Sequence, residues 1–201
     1  MKITKIQPAV KTAGRYNIFV DEKYSFSLDE TQLLDQKLKT GLEIGPDKLD
    51  ELKGESEFGK SYARALELVL RRPRSMREMH DYARRKKWEE ELTDRVIQRL
   101  SEKGYLDDSK FANFWLNARI SSKPISKRKL SAELMQKGIN REIIDEVLSE
   151  YSESDEQDAL SILIKKKQNK YADEQKLMAY LASQGFSYSA IKEALQKSSS
   201  F

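Results

Sequence analysis

The sequence contains no cysteine and a single histidine in 201 residues. The first absence excludes disulfides and thiolate metal sites. The second argues against an imidazole-based metal site or a Ser-His-Asp arrangement. A reducing cytoplasm is the expected setting. Long apolar runs are missing too: MKITKIQPAV lacks the core of a secretory signal, and no segment approaches the roughly 20 apolar residues that span a bilayer. No phosphate-binding glycine loop, metal-ligand cluster or nucleophile-base pair is visible, so the expectation is a soluble protein that is not an enzyme and uses no cofactor.

What the chain has in quantity is charge. Charged residues make up 35% and hydrophobic ones 38%, a balance that suits helices with thin apolar stripes. The net charge of +4 is modest but unevenly placed: residues 61–119 carry 14 basic and 10 acidic groups, and the other segments nearly cancel.

The N-terminal segment reads as β. RYNIFV and KYSFSL flank Asp21 and Glu22, and Tyr24, Phe26 and Leu28 alternate with Ser25 and Ser27, which predicts a hairpin with one wet face. ITKI would pair with it, and the helix TQLLDQKL, ending near Gly41, would cover it. Gly45-Pro46 then breaks the chain, and PDKLDELKGESEFG is expected to be a linker or a short polar helix.

From residue 61 the sequence repeats at an offset of 47. Ser61, Asp108 and Asp155 align, as do Ala65, Ala112 and Ala159, and Val69, Leu116 and Leu163. Further on come Thr93, Asn140 and Ser187, followed by Ile97, Ile144 and Ile191. Polar cap residues followed by apolar stripes predict helices at each place. A middle helix starts at Ser75, Ser126 and Asp173, the first copy four residues early and four residues longer. The fold expected is mainly α: three tandem three-helix repeats in an elongated curved array, preceded by a small β module. The boundaries read as 1–45 for the β module with its helix, 46–61 for the linker, and 62–107, 108–153 and 154–201 for the repeats.

The densest chemistry lies in RRPRSMREMHDYARRKKW, residues 71–88, with eight basic residues against two acids. Ser75 and Glu78 form a capping-box pattern, and Pro73 ends the preceding helix so that Arg71, Arg72 and Arg74 stand at a corner. Met76, Met79 and Ala83 share an inward stripe, while Arg77, Arg84 and Lys87 share an outward face able to meet phosphate or carboxylate. Gly104 and Asp108 read as the end of one helix and the cap of the next, with Asp107 free to meet a partner. Phe111 and Trp115 read as core, with base stacking beside Arg119 as the alternative. Further basic patches are Lys123, Lys127, Arg128 and Lys129 in SSKPISKRKL, and KKKQNK at residues 165–170.

RRPRSMREMHDYARRKKW, GYLDDSKFANFWLNAR and LSAELMQKGIN together resemble the RecX family, over residues 62–198. The most specific portions are Arg72–Glu78 and the Tyr-Leu-Asp-Asp and Phe-Ala of residues 105–112. Two positions depart from the family pattern: Lys87-Trp88 stands where Lys-Gly is usual, and Ala83 where a larger aliphatic is usual.

The resemblance implies three tandem three-helix repeats and a regulator of the RecA recombinase. Such a protein lodges in the groove of the RecA filament on single-stranded DNA and inhibits its ATPase, strand exchange and coprotease functions. The contacts then expected are Arg71, Arg72, Arg74, Arg77, Arg84, Arg85, Lys87, Arg119, Lys123, Lys127, Arg128, Lys166 and Lys167, on a monomer with weak direct DNA binding of its own. The other reading is a general DNA-binding protein built from helix-turn-helix-like units.

Overall fold

The computed structural model describes residues 1–10, 12–171 and 173–198. In chain order these form β1 (Ile3–Pro8), β2 (Arg15–Val20), β3 (Lys23–Asp29), α1 (Glu30–Asp35), α2 (Pro46–Arg71), α3 (Met76–Arg85), α4 (Glu90–Glu102), α5 (Asp108–Ser122), α6 (Lys127–Gln136), α7 (Arg141–Ser149), α8 (Glu153–Lys167), α9 (Glu174–Ser183) and α10 (Tyr188–Ser198). The fold is mainly α with three tandem three-helix repeats behind a small β module. Two compact units divide it: Met1–Arg71 with Lys87–Tyr105, and Arg72–Lys86 with the chain from Leu106 onward.

In the first unit the strands form one antiparallel sheet in the order β1-β2-β3. Asp21 and Glu22 both have positive φ, 48° and 68°, the two-residue turn whose twist matches a hairpin. Ile3, Ile18, Phe26, Leu28 and Leu52 belong to the core cluster on this sheet. The other face is not simply wet, because Ser27 is buried and its amide donates to Ser56 Oγ of α2 at 3.3 Å. Helix α1 stops at Asp35, well short of Gly41, and a capping box of Asp29 and Gln32 starts it.

Residues 46–61, read as a linker or short helix, are the first half of the 26-residue α2. The hydrophobic pattern misses it because the buried stripe there consists mainly of small residues, Ser56, Gly59 and Ser61 after Leu52. A Cβ on Gly59 would fall 2.5 Å from Gln32 Oε1, so the glycine gives α1 room rather than breaking the helix. Ser61 is therefore no cap but a buried mid-helix residue.

Other cap assignments shift similarly. Thr93 lies inside α4 with its hydroxyl donating to Glu89 O at 2.9 Å, and Glu89 stands at the N-cap. The middle helices α3, α6 and α9 are each ten residues long. The four residues that restore the 47-residue offset are an extra first turn of α4, 13 residues against nine in α7.

In the second unit, Phe111, Leu116, Leu130, Leu134, Ile144 and Val147 share one core cluster, and Leu160, Leu163, Leu177, Leu181 and Ile191 share another. Apolar residues at three- and four-residue spacing bury one stripe of these helices, and the second and third repeats each close a small core. Tyr151 belongs to the first: its hydroxyl donates to Ile125 O at 2.9 Å, and burial followed by nearby Glu156 and Asp155 pushes its pKa up to about 12.

Candidate functional site

The repeats of the second unit join through their middle helices. Ser75 caps α3 by accepting from Glu78 N at 3.2 Å, and its own proton goes to Lys137 O at 2.7 Å. Ser126 does the same for α6, accepting from Lys129 N at 3.2 Å and donating to Gln184 O at 2.8 Å. Lys137 and Gln184 are the C-caps of α6 and α9. The N-terminus of one middle helix thus meets the C-terminal carbonyls of the next, an end-to-end pairing that the helix dipoles favour.

Glycine follows each C-cap. Gly138 and Gly185 have φ of 80° and 94°, and a Cβ on Gly138 would lie 2.6 Å from Arg77 Cβ. On Gly185 it would lie 2.4 Å from Ser126 Oγ. Left-handed backbone and close approach both require glycine here. In α3 the corresponding position is Lys87, φ 56°, so it is Lys86-Lys87 that replaces the usual pair, and Lys87 lies past the helix rather than on its outward face.

Around the first joint runs a chain of charges. Glu78 accepts from Arg72 Nη1 at 2.9 Å and from Lys137 Nζ at 2.7 Å, instead of completing the expected capping box. Burial raises the Glu78 carboxyl, and these two partners more than reverse it, leaving the pKa below its ordinary value. Lys137 Nζ also sits 4.8 Å over Trp115. Glu133 accepts from Trp115 Nε1 at 3.0 Å and takes Arg119 in a two-pronged pair, both contacts at 2.8 Å.

The acids after Tyr105 exchange roles relative to expectation. Asp107 is the N-cap of α5, accepting from Ser109 N at 2.9 Å and Lys110 N at 3.0 Å. Those amides, that of Lys110 first, hold its pKa below the usual range. Asp108 accepts Met76 N at 2.8 Å, and burial raises its pKa. Met76 itself is 37% exposed, whereas Met79 and Ala83 are buried as expected.

Of the basic residues singled out, Arg72, Arg74, Arg77 and Arg85 come together, with Lys137, around a depression of about 290 Å³. Glu78 and Asp81 are its acids, and Glu78 is held by Arg72 and Lys137 while Asp81 pairs with Arg84 at 2.9 Å. Arg77 and Arg85 are exposed and carry no ion pair among the described residues. Lys127 and Arg128 line a second depression, of about 410 Å³, that also holds Glu153, Glu156 and Glu193. Lys123 and Lys166 line a third beside Asp155 and Asp158, and Lys167 lies 5.7 Å over Tyr180. Arg71 and Lys87 belong to the first unit, where Arg71 pairs with Glu67. Arg119 is a structural clamp for Glu133 rather than an open contact. The sequence reading missed Lys137, whose signal is the Lys-Gly that ends α6.

Among the described residues no helix is long and apolar enough to cross a membrane, and no group of three or more metal-ligating side chains is present. These features define a class: helical tandem-repeat proteins whose cationic surface is organised at a polar joint between repeats. The chain belongs to the RecX family of regulatory proteins. Residues 1–45 match the regulatory protein RecX N-terminal domain, and residues 62–100, 107–148 and 154–195 match the first, second and third RecX three-helix domains. The chain is 33% identical over 206 residues to the regulatory protein RecX of Listeria monocytogenes serotype 4b (strain CLIP80459), covering all of this chain and 77% of that protein. It is 32% identical to regulatory protein RecX of Clostridium acetobutylicum, covering 97% and 95% of the two chains. A crystal structure of regulatory protein RecX superposes with TM-score 0.83 at 26% identity over 96% of this chain and 98% of that one. RecX from Lactobacillus salivarius shares the fold, with TM-score 0.63 at 23% identity over 70% and 95%.

Proposed function

We propose that this protein is a non-enzymatic regulator that binds the RecA nucleoprotein filament on single-stranded DNA and lodges in its groove. There it inhibits the ATPase, strand exchange and coprotease activities, and so modulates recombination, DNA repair and the SOS response. It acts as a cytoplasmic monomer without a cofactor, built from a β module over residues 1–45 and repeats over 62–107, 108–153 and 154–201. The observation that carries this reading is the arginine-lined depression, where Arg77 and Arg85 stand exposed beside Arg72 and Arg74. Guanidinium groups suit phosphate and carboxylate alike, and both are expected on a filament of protein and DNA.

The test is the ATPase rate of RecA filaments on single-stranded DNA, titrated with this protein well below one copy per RecA, with naked-DNA binding followed in parallel. Inhibition where naked DNA is barely bound supports filament recognition. Inhibition only at DNA saturation, or sequence-dependent duplex binding, favours the general DNA-binding reading. Arg77→Glu with Arg85→Glu is the variant to use, because Arg72 also holds Glu78 and its reversal would disturb the joint. That pair should raise the concentration for half-inhibition at least about tenfold with unchanged helicity.

A further inference from the structure

The first unit holds a cationic feature separate from the arginine-lined depression. Arg15, the first residue of β2, is only 9% exposed. Its Nε donates to Ser27 Oγ at 3.2 Å, and Nη2 donates to the carbonyls of Ser27 and Ser56, the latter at 3.4 Å. All of these acceptors are neutral. No carboxylate forms an ion pair with this guanidinium among the described residues, and Asp29 acts on it only at longer range. Nη1 has no hydrogen-bond partner among the described residues. A buried cation without a counter-charge is costly, and an anion brought beside it offsets that cost.

Arg15 borders a groove of about 630 Å³ between the β1–β2 turn, the sheet and α2. Lys60 and Arg64, four residues apart on α2, line its rim; both are exposed and carry no ion pair among the described residues. No carboxylate lines the groove among the described residues. Tyr24 lines it as well, 54% exposed, its ring edge-on to Phe19 at 6.0 Å. Thr12 and Asn17 add polar side chains.

We propose that this groove binds single-stranded nucleic acid, holding a phosphate with Arg15, Lys60 and Arg64 and stacking one base on Tyr24. The cations select a polyanion, and the exposed ring selects one whose base faces are available, which a duplex hides in its own stack. A free phosphate would satisfy the cations but leave the ring unused. The site needs no RecA, so its failure and the failure of filament regulation are separate results.

The test uses the full chain with fluorescently labelled oligo-dT, oligo-rU and a duplex of equal length, following anisotropy against salt. Single strands should bind more tightly than the duplex, and the preferred sugar names the natural source. Lys60→Glu with Arg64→Glu should weaken binding at least about tenfold and flatten the logarithmic salt slope by about 1.4. Tyr24→Ala should weaken it about 5- to 100-fold with the slope unchanged. Arg15 is left intact because it ties β2 to Ser27 and Ser56. Equal binding of duplex and single strand would overturn the proposal, as would unchanged affinity in variants with wild-type helicity and melting. A measurement free of variants is photocrosslinking of an iodouracil oligomer: adducts at Tyr24 support the site, and adducts confined to residues after 71 overturn it.

Discussion

The Ser75 hydroxyl gives its single proton to the Lys137 carbonyl, 62 residues away, while accepting the Glu78 amide of its own helix. One side chain therefore both starts α3 and docks it on α6. Ser126 repeats the arrangement with Gln184, and both serines are fully buried.

Replacing either serine with alanine removes a cap and leaves a half-buried carbonyl without its donor. Ser75→Ala and Ser126→Ala should each lower stability by about 1–3 kcal/mol in urea or thermal unfolding. A serine acting only as a local cap would sit near the bottom of that range, and threonine would restore it fully.

The position after the C-cap of each middle helix gives an opposite pair of outcomes. Gly138→Ala must adopt φ near 80° and place a methyl against Arg77, and should cost about 1–3 kcal/mol. Lys87→Gly relieves left-handed strain where φ is 56°, and should raise stability by up to about 1 kcal/mol after the added freedom of the unfolded chain is counted. Melting curves of the two variants, shifted in opposite directions, are the expected result.

Glu133 serves Arg119 and Trp115 at once, at side-chain exposures of 21% for Glu133 and 27% for Arg119. Glu133→Ala leaves both donors without their acceptor and should cost about 1–3 kcal/mol, a range already reduced for their partial contact with water. Arg119→Lys keeps the charge, loses the two-pronged geometry, and should cost less. Tryptophan fluorescence should shift in the first variant, since the Trp115 ring loses its anchor.

The two carboxylates at the first joint respond to pH with opposite signs. Glu78 titrates below its unfolded value, which is near 4.5, so its contribution is present above that value and fades as pH falls through the folded one. Asp108 titrates above its unfolded value, so its contribution is present in acid and fades as pH rises through the folded one. Glu78→Gln should make the loss of Tm below pH 4.5 shallower than in the wild type. Asp108→Asn keeps an acceptor for Met76 N and should raise Tm on the neutral side relative to the acid side.

The sequence alone disclosed the repeat because its apolar positions obey local helical periodicity, and the β hairpin because Asp21 and Glu22 separate alternating runs. It misplaced Ser61 and Thr93 because an offset pattern cannot distinguish a serine or threonine that caps a helix from one buried within it. The first half of α2 escaped notice because its buried stripe is built of small residues. The site was legible as a basic cluster at residues 71–88, but not its division into clamps and open arginines. That division depends on Glu78, Lys137 and Glu133, whose partners lie on other helices. Arg15 gave no sign either, because its environment is made by Ser27 and Ser56 from two different elements.

The residues at the two ends of the described middle-helix series depart from the pairing that joins them. A further repeat ahead of α3 would have to seat a serine against Lys87, which brings a side chain where Gly138 and Gly185 leave space. At the far end, Asp173 takes the place of Ser75 and Ser126 as the N-cap, and its side chain accepts from Gln175 N at 2.8 Å. The joint is thus directional: its donor is a serine at a helix start and its acceptor a carbonyl followed by glycine, and neither Lys87 nor Asp173 reproduces that pairing.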